Sequence, residues 1–395
     1  MSEVLPSPVR PQSKRVEFID LLRGWAVIVM IETHVVNATL MQSLLDSGPF
    51  QCFKFLNGLV APSFLFASGL AYAITTRRKR NDYLSFGPPL FKQVGRLLLI
   101  LGIGYCLHLP VFSYSKLAEG ITDQQWFSFL QVDILQCIAV SLLLLQILLF
   151  LLRTERRLYA ATASLTVAII FATPIVWGID FPNVLPAPVA AYMNGLHYSL
   201  FPLFPWSAFL FAGALTGYIY LRGRDADQGS TVNETAVMKR MLWTAPAIIL
   251  FSFAIEPFAA MLYPTYDYWR FSPSFVLLRM GIVLMLCVGM FFYERMRGVS
   301  TGSIVALIGR ESLLVYVVHL LLIYGDFGSF NFKNKVGNSF GYLEAGTTTL
   351  VLLLLMYGLA VVWSRIKRGS PRVKLAINIS ALVVFLGVFF FGPGE

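Results

Sequence analysis

Residues 19–34 read IDLLRGWAVIVMIETH, an apolar stretch carrying Asp20, Arg23, Glu32 and His34. If the stretch is helical, Arg23 and His34 are about three turns apart. They then project to nearly the same side, separated by roughly 16 Å along the axis. Asp20 falls within about 40° of His34, and Glu32 points the other way. A histidine can take a proton from a hydroxyl or an amine near neutral pH. A carboxylate can orient it, and an arginine well below it can hold a phosphate-bearing molecule. The bland alternative is that Asp20 and Arg23 are interfacial residues and His34 is a satisfied core histidine.

The elements that must carry these residues follow from composition. The 395-residue chain is 57% hydrophobic and only 13% charged, with a mean hydropathy of +0.69. Soluble domains are nearer a quarter charged, so this is a polytopic membrane protein in the all-α class. Windows of about 20 residues mark eleven apolar segments. They lie near 18–40, 55–76, 90–112, 129–152, 157–179, 200–221, 241–262, 273–293, 303–325, 346–364 and 375–392. Residues 1–17 read as a disordered cytoplasmic tail with no signal-peptide cleavage site, and 18–392 as a single transmembrane domain.

Loop charge orients the chain. With the N-terminus cytoplasmic and the C-terminus outside, 23 of the 31 Lys and Arg fall on inside segments, including the RRKR run at 77–80. Only Lys54, Lys116, Arg270, Lys333 and Lys335 fall outside. This is the positive-inside pattern. It accounts for the net charge of +10 without nucleic acid. The four cysteines have neither CxxC spacing nor a disulfide pattern, so no metal site is expected.

Depth follows from orientation. His34, Asp133, Glu256, Arg279 and His319 fall in one layer in the outer half, with Trp206 about two turns into the sixth segment. Arg23 and Arg310 form a second layer on the cytoplasmic side. Ionisable residues at matching membrane depth mark a functional site. The competing structural reading is local pairing, such as Glu256 with Arg279, or Arg310 with Glu311. Two layers suit acyl transfer across a membrane, with an acyl-CoA entering from the cytoplasm and an acceptor from outside. A proton-coupled transporter or flippase would use the same residue types, and a non-catalytic membrane scaffold is a third class.

RVEFIDLLRGWAVIVMIETHVV resembles the opening helix of the heparan-alpha-glucosaminide N-acetyltransferase catalytic-domain family. Its Arg23–His34 spacing is also similar to the signature of the wider acyltransferase-3 group. GLVAPSFLFASGLAYAI, VDILQCIAVSLL, FPLFPWSAFLFAGALTG and LIGRESLLVYVVHLLLIY resemble the family's second, fourth, sixth and His-bearing later helices, in the same order. The resemblance implies a membrane acyltransferase that takes an acetyl group from acetyl-CoA, or another acyl-CoA, on the cytoplasmic side. The acceptor would be a glycan or other sugar-like molecule on the far side. It matches the family's catalytic histidine to His34, as general base or transient acyl carrier; from the depth layer, Asp133 or Glu256 would orient it and His319 is a competing base. Arg23 and Arg310 would hold the donor's phosphates, and Trp206 and Arg279 the acceptor. The family's lysosomal member has its histidine in a longer outer segment, whereas His34 lies within the helix. It also has a lumenal N-terminal domain, and the short chain here looks like the bacterial branch. That implies a bacterial inner membrane, where a homodimer is a possible assembly. GLAYA and GALTG, with small-xxx-small spacing, are expected to pack helices.

Overall fold

The computed structural model describes residues 16–111, 113–225, 231–298, 303–325 and 331–391. Most of the tail expected at 1–17 lies outside them. Among the described residues, eleven long helical segments occupy the positions expected from hydropathy. They are α1 (Glu17–Thr39), α2 (Val60–Leu84), α3 (Pro88–Cys106), α4 (Ile134–Leu152), α5 (Glu155–Trp177) and α6 (Leu203–Asp225). α7 (Thr231–Leu262), α8 (Pro273–Arg297), α9a (Ile304–Arg310) with α9b (Ser312–Tyr324), α10 (Tyr342–Gly369) and α11 (Pro371–Phe391) complete the set. Among the described residues the only bridge outside helices joins Leu40 to Phe340. The protein is therefore an all-α, multi-pass membrane protein.

Of these segments, eight are long and apolar enough by themselves to cross a bilayer, and nine if the α9 halves make one span. α1 and α3 are not among them. The reason in α1 is its own polar cargo, Asp20, Arg23, Glu32 and His34, which dilutes an otherwise aliphatic run. A helix with that cargo needs protein around it, and α1 has it. It packs on α2, α8, both halves of α9 and α10. Phe18 stacks edge-on against Tyr220 and Phe291 at 5.6 Å each, and Leu22, Ala26, Val27 and Ile31 have no exposed surface.

Helix starts follow local chemistry. Proline opens α3, α8 and α11, where a missing N–H costs nothing. The Ser272 hydroxyl accepts from the amide of Phe275 at 3.0 Å to cap α8. Pro174 in α5 and Pro246 and Pro257 in α7 stay inside their helices, as membrane helices allow.

α9 is broken. Its halves meet at 85°, with Glu311 at φ −101°, ψ 20° between them. The break is held from both sides. Glu311 accepts from Lys367 of α10 at 2.9 and 3.0 Å, and the Arg23 guanidinium of α1 donates to Ser312 Oγ at 3.1 Å. α9a lies almost on the backbone of α1. A Cβ added to Gly24 would stand 1.9 Å from the carbonyl oxygen of Val305, and one on Gly309 1.9 Å from that of Asp20. α2 and α6 pack with Gly69 and Gly213 at the contact, as the small-residue spacing suggests.

Candidate active site

One cavity of about 440 Å³ gathers residues from α1, α2, α4, α6, α8 and α9b. His34, Asp133, Trp206 and Arg279 all line it. His34, Asp133 and Arg279 are expected at one depth and Trp206 about two turns into its helix, and the four surround one space. Thr33, Asn37, Asn57 and Tyr316 add polar edges, and Met30, Phe64, Leu200 and Phe201 are among its apolar walls.

His34 faces this cavity with His319 behind it. His319 has no exposed surface and is not among the cavity's lining residues. The two rings are nearly parallel, 9° apart, with His34 Nδ1 2.8 Å from His319 Nε2. His319 Nδ1 lies 2.8 Å from the carbonyl oxygen of Val315. A carbonyl only accepts, so His319 Nδ1 carries the proton. In a neutral ring His319 Nε2 is then an acceptor, and the proton between the rings belongs to His34 Nδ1. That leaves the lone pair of neutral His34 on Nε2. Tyr324 adds a hydrogen bond from its hydroxyl to the His34 carbonyl at 3.2 Å.

Asp133 precedes α4, and its Oδ1 accepts from the amide of Ile134 at 2.7 Å. Hydropathy, with the segment at 129–152, predicts it within the first outer turns of that helix. Instead the chain breaks after a short helix at Asp123–Leu130, and Asp133 is the cap. Its Oδ2 receives the Tyr316 hydroxyl at 3.3 Å and His108 Nε2 at 3.2 Å. The Gln131 amide donates to His108 Nδ1 at 2.6 Å, so the His108 proton sits on Nε2, aimed at Asp133. This carboxylate is held in place by three donors at the cavity edge. Tyr316 and His108 were absent from the set expected from sequence. Tyr316 had a usable signal, standing three residues before His319 and hence on the same helix face.

Glu256 is elsewhere. It accepts from the Tyr266 hydroxyl at 2.5 Å and does not line the cavity. Burial and this carboxylate push the Tyr266 phenol, in the loop beyond α7, up to about 12. The pairing of Glu256 with Arg279 that spacing allowed is not formed among the described residues. Arg279 lies instead against Phe275, its Cζ 3.7 Å from the ring centroid. Glu32 faces away from His34, as helical geometry requires. With its nitrogen turned inward, the Asn57 amide donates to Glu32 Oε2 at 3.0 Å.

Arg23 and Arg310 lie apart from this cavity, by the break in α9. Arg23 donates to Ser312 as described, and Arg310 ends α9a. The Arg310–Glu311 pairing considered from sequence is replaced by Glu311–Lys367. No group of three or more His, Cys, Asp or Glu with metal-binding geometry occurs among the described residues.

Residues 15–255 match the family model described as heparan-alpha-glucosaminide N-acetyltransferase, catalytic. No curated protein matches the chain.

Proposed function

The chain belongs to the heparan-alpha-glucosaminide N-acetyltransferase catalytic family and is thus a membrane acetyltransferase, and on that premise we propose that it moves an acetyl group from cytoplasmic acetyl-CoA to a sugar-like acceptor on the far side of a bacterial inner membrane, with His34 as the general base. The observation that carries this reading is the chain of polar groups from Val315 through His319 to His34. It leaves a lone pair on the ring that borders the cavity, on the edge away from His319.

In this reading the acceptor's amine or hydroxyl approaches His34 Nε2 and gives up its proton as its heteroatom bonds to the thioester carbonyl carbon. The C–S bond then breaks, and the leaving thiolate takes the proton back from the imidazolium. Asp133, fixed by Tyr316, His108 and the Ile134 amide, supplies a negative charge at the same cavity while His34 is positive. Trp206 and the apolar walls exclude water and offer a face to a sugar ring. Arg23 and Arg310 hold the donor's phosphates beside the α9 break, where α9b also begins. The sulfur end then lies about three helical turns away, at His34.

The test is transfer of label from radioactive acetyl-CoA to glucosamine, and to an extract of cell-envelope glycan, by the purified protein. His34→Ala should lose about 10²–10⁴-fold in turnover, the usual worth of a general base, while still binding acetyl-CoA. Arg23→Ala should raise the KM for acetyl-CoA more than that for the acceptor. Near-normal turnover in correctly inserted His34→Ala would make His34 a core residue and end this mechanism. Label trapped on the protein without acceptor, and absent from His34→Ala, would replace direct transfer by an acetyl-histidine intermediate.

A further inference from the structure

Among the described residues Arg279 is a cation without a carboxylate. It lines the cavity, its Nε is buried with no hydrogen-bond partner, and among the described residues no Asp or Glu lies within ion-pair distance of it. Both carboxylates nearest in expected depth are engaged elsewhere. Asp133 accepts from Ile134, Tyr316 and His108, and Glu256 accepts from Tyr266. A half-buried guanidinium with its Nε out of reach of water, facing largely apolar walls, is costly unless an anion meets it.

The side chain is also pinned. One face of the guanidinium covers the Phe275 ring at 3.7 Å. On another side, a Cβ placed on Gly58 would come within 2.4 Å of Nη2. Only a residue without a side chain lets the fork lie there. A cation stacked on Phe275 and lying beside Gly58, rather than against a carboxylate, keeps its fork open to a planar oxyanion.

We propose that Arg279 selects an acceptor bearing an anionic group, a carboxylate or phosphate, on the reacting sugar or beside it; this rests on the acetyltransferase reading above. The donor is the less suitable source of that anion. Its phosphates are assigned to the Arg23 layer, whereas Arg279 shares its cavity with His34, about 16 Å further along α1. The site therefore reads two features of the acceptor: a nucleophile at His34 and an anion at Arg279.

Two arms test this on the purified, detergent-solubilised protein. In the first, label from acetyl-CoA is offered to glucosamine, to muramic acid and to glucosamine 6-phosphate. The wild type should favour at least one anionic amino sugar over glucosamine by about tenfold or more in kcat/KM, the usual worth of a charge-assisted hydrogen bond. Arg279→Gln should bring that ratio close to one. Arg279→Lys should retain part of it, and Gly58→Ala should lower it by displacing the guanidinium. No preference in the wild type, or a ratio unchanged in Arg279→Gln, overturns the proposal. So does a rise confined to the KM for acetyl-CoA, which would give Arg279 to the donor.

The second arm needs no turnover. Thermal unfolding is followed with glucuronate against glucose. Glucuronate should raise the melting temperature of the wild type more than glucose does, and this difference should vanish in Arg279→Gln. Equal stabilisation by the two sugars, or a difference that survives the substitution, overturns the proposal. Loss of acetyl transfer to every acceptor, with the glucuronate effect intact, would instead sink the acetyltransferase reading and leave an anion site.

Discussion

A histidine serves as a base only through the nitrogen that lacks a proton, so the two histidines of the site divide by what fixes each ring. His319 is tied to Val315 of its own helix and points its free nitrogen at His34. In the reading above it acts through His34 and does not touch the acceptor. His319→Ala should therefore lower turnover by about 10–100-fold, the usual worth of a partner that orients a reactive histidine, with little change in acceptor KM. His319→Gln, whose amide can still accept from His34 Nδ1, should recover part of the loss. A change in acceptor KM alone would place His319 against the sugar instead. The pH profile gives a second readout. Protonated imidazole cannot accept a proton, so wild-type kcat should fall as pH drops through the His34 titration, with a slope of one proton. A flat acid limb would remove the base. Depth arithmetic set His34, Asp133 and Arg279 at one level, because helix rise and loop charge are local quantities, and the fold brings them with Trp206 around one cavity. It could not put His319 behind His34, nor send Glu256 to Tyr266. Helical phase between different segments depends on packing that no single segment encodes.

At the scale of elements, the site depends on how closely α9a approaches α1. That contact sets the α9 break, and the break sets the phase of α9b, which carries Tyr316 and His319. Hydropathy shows one apolar run near 303–325 and no proline within it, so the 85° turn was invisible in sequence. Lys367 and Arg23 hold it in place by engaging Glu311 and Ser312 from neighbouring helices. The GR in LIGRESLL does hold the clue in retrospect, since Gly309 is the residue set against the backbone of α1. Gly24→Ala and Gly309→Ala each add a Cβ 1.9 Å from a backbone oxygen that cannot rotate away. Each should cost about 1–3 kcal/mol by overpacking, read as a lower melting temperature, and should depress turnover by shifting α9b. Gly289→Ala in α8, where nothing lies within 4 Å of the new Cβ, is the matched control and should unfold like the wild type. If all three variants melt together, the α1–α9a approach is looser than described.

At the scale of the molecule, the proposal needs the two layers of charge to face opposite compartments. The Arg23 layer has to open to the side that supplies acetyl-CoA, and the end of α1 bearing His34 to the side that holds the acceptor. The loop-charge bias predicts this: the short connection between α2 and α3 follows the RRKR run, whereas the segment between α9b and α10 is joined by backbone hydrogen bonds to the far end of α1, Met41 and Thr39 pairing with Phe340 at 3.0 and 2.8 Å. Those bonds place 339–341 at the same end of the molecule as His34, wherever the bilayer lies. Ser85 and Ser339 are both exposed and mark the two ends. Single cysteines introduced there, in a background without the exposed Cys52, should react with an impermeant maleimide from opposite faces of sealed inside-out and right-side-out vesicles. Ser339→Cys should label in right-side-out vesicles and Ser85→Cys in inside-out ones. Labelling of both from one face would break the alternation of spans. The reverse assignment would keep the fold but turn the His34 end toward the cytoplasm. Donor and acceptor would then have to meet His34 from the cytoplasmic side, and transfer across the bilayer would be excluded.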